Sequence, residues 1–187
     1  MYKKKSNEIS MPNRQMTLFY DEIYSSGLDR TARFPVDRYA KIAKKISEED
    51  KEGLIELKVP RLAKREEILL VHDEDFVDRF LTQELREEEI RRIGLRPWKS
   101  AIVERTLRLV GGAIDGLDLL HQGVPIAGNM AGGTHHAFRG EGAGYCIFND
   151  LAVCAEIALQ RGQSKRVLVL DLDVHQGDGT AEIFFWG

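Results

Sequence analysis

The sequence predicts an α/β domain with three layers, in which helices cover both faces of a mainly parallel sheet. Two observations favour this class. Short apolar runs, typical of buried strands, alternate with segments in which apolar residues recur every three or four positions, as on one face of a helix. The chain has 187 residues, 43% of them hydrophobic and 30% charged, which suits one globular domain with a sizeable core.

The N-terminal elements alternate between strand and helix. The apolar and aromatic run Met16–Tyr20 predicts a first strand. Apolar residues at helical spacing over Val36–Ile46 predict a helix with its basic residues in solvent. The continuous apolar run Ile68–Val71 predicts a buried strand, because such runs are typical of strands that are covered on both faces. Acidic residues at 73–75 are candidate caps for a helix through Leu81.

The alternation continues towards the C-terminus. The charged stretch Glu84–Arg92 is expected to form a solvated helix or loop. A long helix is predicted from Ser100, a candidate cap, to about His121, because apolar positions repeat at three- and four-residue intervals. The remaining assignments are a short strand, a helix and a second buried strand, at Val124–Ala127, Asp150–Ala158 and Val167–Leu170.

Composition and charge disfavour several classes of protein. Lys and Arg total 27 against 30 for Asp and Glu, so no broad basic surface for direct nucleic-acid binding is predicted. No segment of the sequence has the apolar length of a membrane span. Residues 1–15 are expected to be a polar N-terminal tail without the apolar stretch of a secretory signal, and this predicts a cytoplasmic protein.

Polar side chains follow the last apolar run at every second position. In strand geometry Asp171, Asp173 and His175 lie on one side of the chain, at the strand end where α/β proteins assemble their sites. Burying a carboxylate is costly unless it is paired or bound to a cation. Because a carboxylate and an imidazole suit catalytic zinc, Asp173 and His175 are the predicted metal ligands. Alternatively, the acids cap the next helix and the histidine is an ordinary loop residue.

A second polar motif follows the predicted strand Val124–Ala127. Glycines at 132 and 133 precede His135 and His136, and their backbone freedom allows both imidazoles to enter one cavity. Two histidines near a metal provide a general base and a general acid at neutral pH. Each ring needs an acceptor for its other nitrogen, and Asp171 and Asp178 are available. By itself the pair is weak evidence, but the two motifs together predict a metallohydrolase.

These motifs resemble the histone deacetylase family in their order and spacing. The similar segments are the blocks Ala131–Ala137, Gly142–Asp150 and Asp171–Gly179, with the shorter upstream segments Arg33–Tyr39 and Leu70–Asp73. The upstream segments are most similar to bacterial relatives of the class IV branch. The resemblance implies the arginase/deacetylase fold and a zinc-dependent deacetylase that hydrolyses N-acetyl-lysine in proteins or a small acetylated amine.

The resemblance also implies a role for each residue of the motifs. The implied zinc ligands are Asp173 and His175, the implied proton-transfer residues are His135 and His136 with Asp171 and Asp178 to orient them, and the implied substrate contacts are Gly144 and Tyr145. A potassium ion near the backbone of residues 171–175 is implied as well.

The sequence departs from the family pattern in two respects. The family takes a third zinc ligand, an aspartate, and a tyrosine that stabilises the transition state from later segments that are absent here. Residues 16–187 are therefore expected to form the N-terminal part of a single deacetylase-like domain, incomplete at its C-terminus. An exposed strand edge is expected, and with it self-association.

Two alternative functions stay open. The first is a non-catalytic truncated remnant or binding module that keeps a surface for acyl-lysine. The second is an arginase-like ureohydrolase with two manganese ions. That enzyme needs a further carboxylate two positions after His175, where this sequence has Gly177. The glycine favours a site with a single metal.

Overall fold

The computed structural model describes residues 16–185, and the predicted tail at residues 1–15 lies outside the described residues. Within residues 16–185 the chain forms β1 (Met16–Phe19), α1 (Ile23–Ser26), α2 (Arg38–Glu49), β2 (Ile55–Lys58), α3 (Arg65–Ile68), α4 (Glu74–Leu81), α5 (Glu87–Ile93), α6 (Ala101–His121), β3 (Ala127–Asn129), α7 (Asp150–Gln160) and α8 (Asp178–Phe185). Among the helices of this range, none combines the length and hydropathy of a membrane span.

The three strands form a parallel sheet in the order β2-β1-β3. In the register of the sheet, Thr17 of β1 lies between Glu56 of β2 and Ala127 of β3. The long helix α6 packs against β1 and β3, and α7 packs against α6. The predicted α/β class with a parallel sheet and packed helices is therefore confirmed. In the described residues β3 pairs only with β1, so its other edge is open.

An aromatic cluster in the core fixes the start of α7. The Phe148 ring lies 5.0 Å from the Phe80 ring and 5.7 Å from the Phe76 ring between centroids, and both contacts are edge-to-face. All three side chains are at most 1% exposed. Burying an aromatic ring of this size contributes about 1.5–3 kcal/mol relative to an exposed one. Since Phe148 immediately precedes the N-terminus of α7, this packing also locates the loops that meet there.

The predicted helices are found close to their expected bounds, and the charged stretch forms α5. That helix is not wholly solvated, because Glu89 and Ile93 are buried. The candidate caps behave differently from the expectation: neither Asp73 nor Ser100 makes a side-chain hydrogen bond to its helix. Asn149 does cap a helix, since its side chain accepts a hydrogen bond from the Ala152 N–H at 3.1 Å.

The prediction of a strand at Ile68–Val71 is wrong. Ile68 is the last residue of α3, and the Val71 N–H donates a hydrogen bond to the Ile68 carbonyl oxygen at 3.2 Å within a turn. The run packs into the helical core instead of pairing with a strand. The sheet contains β2 instead. This strand was not predicted, because Glu56 and Lys58 alternate with its apolar residues and no continuous apolar run is present.

The strand predicted at Val167–Leu170 is also not formed. These residues have irregular backbone, and in the described range no neighbouring strand pairs with them. Leu168 is 87% exposed and Leu170 is 72% exposed. A strand needs hydrogen-bonding partners for its backbone, and no other segment of residues 16–185 supplies them. The third predicted strand is present but shifted, from Val124–Ala127 to β3.

Candidate active site

The two predicted motifs meet beside the carboxyl end of β3. The loop that follows this strand turns through Gly133, whose φ of 81° favours glycine. Gly132 lies against the N-terminus of α7, where a Cβ atom would stand 2.5 Å from Asp150 Oδ2. The two glycines therefore allow the loop to approach α7 closely and to direct His135 and His136 towards the segment after residue 170.

Each of these histidines forms a hydrogen-bonded pair with an aspartate. His135 Nδ1 lies 2.6 Å from Asp171 Oδ2, and His136 Nδ1 lies 2.7 Å from Asp178 Oδ1. The partners are the ones that the resemblance implies. Because an ionised carboxylate only accepts, Nδ1 of each ring donates the proton, and in the neutral ring Nε2 keeps its lone pair. The two rings are neighbours, with centroids 4.1 Å apart.

Hydrogen bonding keeps the two orienting carboxyls ionised. The hydrogen bonds from His135 and from the Asp173 backbone N–H lower the pKa of Asp171 below its usual value. Partial burial acts to raise the pKa of Asp178, but the hydrogen bonds from His136 and from the Gly179 N–H outweigh it, so this pKa is lowered too. An ionised acceptor fixes the ring tautomer and stabilises an imidazolium while the ring holds an extra proton.

The predicted metal ligands adjoin the histidine pair. Asp173 Oδ1 lies 2.9 Å from His175 Nδ1 and accepts a second hydrogen bond from the His175 backbone N–H at 2.8 Å. These two bonds lower the pKa of Asp173. The His175 ring lies 5.9 Å from the His136 ring between centroids. Asp173 and His175 thus lie next to the histidines that were predicted to transfer protons.

Asp173 and His175 supply a carboxylate and an imidazole, donor types that catalytic zinc takes, and their Oδ1 and Nδ1 atoms share a hydrogen bond of 2.9 Å. Within residues 16–185, no group of three or more His, Cys, Asp or Glu side chains has the arrangement of a metal site. Catalytic zinc usually has three protein ligands. Asp173 and His175 would account for two such ligands.

A cavity of about 450 Å³ brings the two motifs together. Its wall includes His135, His136, Asp173 and His175. Asp171 is not part of this wall but is hydrogen-bonded to His135, which is. The histidine side chains of the pair are 11% and 20% exposed, so they are shielded from bulk water yet open to the cavity. Four predicted side chains thus share one cavity, and Asp171 contacts it through His135.

Glycine at 144 and 177 is required by close approaches in the site. A Cβ atom at Gly144, whose φ is 53°, would lie 2.6 Å from His136 Cδ2. A Cβ atom at Gly177 would lie 2.6 Å from Asp171 Oδ2. A carboxylate at 177, as the ureohydrolase alternative needs, would displace the acceptor of His135.

Two aromatic rings form an aromatic wall of the cavity. Tyr145 is 41% exposed, has a φ of 70°, and its ring lies 5.3 Å from the Phe34 ring in an edge-to-face contact. The Tyr145 N–H donates to the Ile93 carbonyl oxygen at 2.7 Å, which holds this backbone in place. Tyr145 lies where a substrate contact was predicted. Phe34 was not predicted as a site residue, although it lies in the family-like segment Arg33–Tyr39.

Arg105 is a second cavity residue that the sequence analysis missed. Its side chain is 3% exposed, and its Nε donates to the Tyr24 carbonyl oxygen at 3.0 Å. Burial lowers the pKa of this guanidinium from its ordinary value. A signal was present in the sequence: Arg105 follows Ile102 by three positions and precedes Leu109 by four, so it lies on the apolar face of α6.

Fold and site together define an α/β domain that holds carboxylate-paired histidines at the end of a parallel sheet. Residues 32–186 match the histone deacetylase domain. The chain belongs to the histone deacetylase family, which confirms the resemblance drawn from the motifs.

Several similar proteins are bacterial and longer than this chain. An uncharacterized protein of Picosynechococcus sp. is 42% identical over 166 residues, which cover 88% of this chain and 54% of that protein. The acetoin utilization protein AcuC of Bacillus subtilis is 38% identical over 134 residues, which cover 67% of this chain and 34% of AcuC. AcuC of Staphylococcus aureus is 34% identical over the same length. The chain thus spans about half the length of the first relative and about a third of the AcuC proteins.

Proposed function

We propose that this chain provides the proton-transfer pair and two zinc ligands of a zinc-dependent deacetylase. The substrate would be an N-acetyl-lysine in a protein or a small acetylated amine. The main support is that His135, His136, Asp173 and His175 border one cavity, with Asp171 and Asp178 hydrogen-bonded to the two neighbouring histidines. Family membership supports the reaction class.

The histidine pair would move protons during hydrolysis. Nδ1 of each ring is engaged by a carboxylate, and within residues 16–185 no hydrogen bond occupies Nε2 of His135 or His136. One Nε2 would accept a proton from the attacking water, and an imidazolium would return a proton to the leaving amine. Asp171 and Asp178 would hold the rings in the required tautomer. Asp173 and His175 would bind the zinc ion, which when bound supplies Lewis-acid chemistry.

The aromatic wall suits an aliphatic stem that ends in a polar group. The Tyr145 and Phe34 rings would pack against the methylene chain of an acyl-lysine, since such stems lie along apolar surfaces while their polar ends seek hydrogen bonds. Gly144 leaves this passage narrow but free of a side chain beside His136. The potassium ion near residues 171–175 and the cytoplasmic location stay predictions.

A non-catalytic binding module is the second candidate function. It is favoured by one observation, that the described residues supply two ligands where catalytic zinc has three. Such a module would bind an acetyl-lysine peptide without releasing acetate. The experiment below separates the two candidates.

The test joins this chain to the C-terminal part of the Picosynechococcus relative that lies beyond the matched residues. We expect about one zinc ion per protein and release of acetate from an acetyl-lysine peptide. The His136→Ala variant should lose activity by a factor of about 10² to 10⁴, the usual contribution of a positioned acid or base. The control is His121→Ala, which removes an exposed histidine at the end of α6.

Three results would count against the deacetylase. Full activity in His136→Ala would remove the proton-transfer assignment. Peptide binding without acetate release would favour the binding module. Two manganese ions per protein would overturn the choice of a single zinc.

A further inference from the structure

We infer that Asn149 and Asp150 form a clamp that positions the His135–His136 pair, and that His72 anchors this clamp. The inference rests on the proposed function, because it explains how the proton-transfer pair is held. These residues do not reach the reacting atoms and would act through the loop that carries the histidines. They are therefore positioning residues.

Asp150 holds the loop on the N-terminal side of the histidines. Its side chain is 1% exposed, and its carboxylate accepts hydrogen bonds from the Gly133 N–H at 3.0 Å, the Thr134 N–H at 2.9 Å and the Thr134 hydroxyl at 2.6 Å. In the described residues no Lys or Arg pairs with it. A buried carboxylate is costly without such donors, and these three all come from the two residues before His135. The loop conformation and the buried charge therefore stabilise each other.

Asn149 holds the loop on the other side. This fully buried side chain donates from Nδ2 to the Ala137 carbonyl oxygen at 3.3 Å and to Thr180 Oγ1 at 2.9 Å. Ala137 directly follows His136, and Thr180 belongs to the first turn of α8, which begins with Asp178. One amide thus fixes both the exit of the histidine loop and the helix that supplies the acceptor of His136.

His72 connects the clamp to the α3–α4 junction. The ring is 3% exposed; its Nδ1 donates to the Phe138 carbonyl oxygen at 2.9 Å, and its Nε2 accepts from the Asn149 N–H at 2.9 Å. Burial lowers the pKa of His72 to about 4, so the ring is neutral at neutral pH, as the acceptor role requires. The ring contacts the aromatic core at Phe148, 5.2 Å away between centroids.

Simple helix capping does not account for this arrangement. A cap at Asn149 needs only Oδ1, which accepts from the Ala152 N–H. The Nδ2 donors of Asn149 and all the donors to the Asp150 carboxylate lie outside α7. Together they hold the loop at 133–134 and at 137, immediately before and after the two histidines. The geometry therefore suits positioning of the pair.

The test is the ring tautomer of His135 and His136, measured in the chain itself by ¹⁵N NMR of the imidazoles. In the parent chain we expect both rings to carry the proton on Nδ1. In Asp150→Asn, the ratio of this tautomer to the other should fall about tenfold for at least one ring, the effect of weakening one buried hydrogen-bonded contact. Glu156→Gln is the matched control, because Glu156 lies on the same helix and, within residues 16–185, its side chain bonds only to Gln160. This variant should leave both rings unchanged.

A second variant keeps the inference testable if Asp150→Asn does not fold. Thr180→Val removes one half-buried acceptor of Asn149 and should shift the tautomer ratio of His136 more than that of His135. Parent-like rings in a folded Asp150→Asn protein, or in Thr180→Val if the first does not fold, would overturn the clamp. The readout needs no turnover, so it can succeed even if acetate release in the extended protein does not depend on His136.

Discussion

Two apolar runs of four residues, Ile68–Val71 and Val167–Leu170, look alike in the sequence and differ in the structure. The first and last residues of the first run are 0% and 2% exposed, and the run packs into the core. The two leucines of the second run are 87% and 72% exposed. Neither run forms a strand.

The difference teaches that an apolar run becomes buried only where another element covers it. The first run begins at Ile68, the last residue of α3, and belongs to the buried core that also contains Phe76 and Phe80 of α4. The second run is separated from α7 and α8 by clefts of about 680 Å³ and 430 Å³. Its two exposed leucines form an apolar surface, and the polar residues that follow the run, Asp171, Asp173 and His175, belong to the candidate site.

The difference in burial between the two runs is tested most directly by shortening one side chain in each run. Ile68→Ala should lower the free energy of unfolding by about 2–5 kcal/mol, because it empties a fully buried site. Leu168→Ala should change it by no more than about 0.5 kcal/mol, as for other exposed positions. Denaturant unfolding monitored by circular dichroism measures both values. Equal losses would mean that the second run is buried in solution.

His72, which follows the first run, makes the stability of the fold depend on pH. His72 has a folded pKa of about 4 against about 6.5 when unfolded, so between these values the unfolded chain binds more protons. Its contribution to stability is complete above pH 6.5 and is lost as the pH falls towards 4, by about 3 kcal/mol in total. His72→Gln should flatten this part of the stability profile, whereas His121→Gln should not. An unchanged profile in His72→Gln would contradict the assignment.

The second run should affect association more than stability. Leu168→Ser combined with Leu170→Ser should reduce self-association and alter the free energy of unfolding by only about 0.5 kcal/mol or less, because these side chains are already in solvent. Light scattering coupled to size-exclusion chromatography, at several concentrations, measures the effect. Leu54→Ser is the control, since Leu54 is 46% exposed but lies beside β2. Unchanged association in the double variant would show that another surface is responsible.

The polar groups of the site could be predicted from the sequence more fully than the buried residues that hold them in position. The spacing of Asp173 and His175 and the adjacent His135–His136 predicted four side chains that share a cavity, and Asp171 contacts His135 beside it. Arg105 and the Asn149–Asp150 clamp were not recognised as parts of the site. Their roles depend on contacts between segments distant in sequence, which local periodicity does not report.

By itself the sequence determined the α/β class, the amphipathic helices and the identity of the polar groups, because these follow from local spacing and side-chain chemistry. Only the tertiary structure decided the fates of the two apolar runs, the use of β2 as a strand and the buried partners of the histidine loop. The physical reason is that burial and hydrogen bonding of a segment depend on the element that packs against it. In this chain that element is often more than fifty residues away, as for His72 and Asn149.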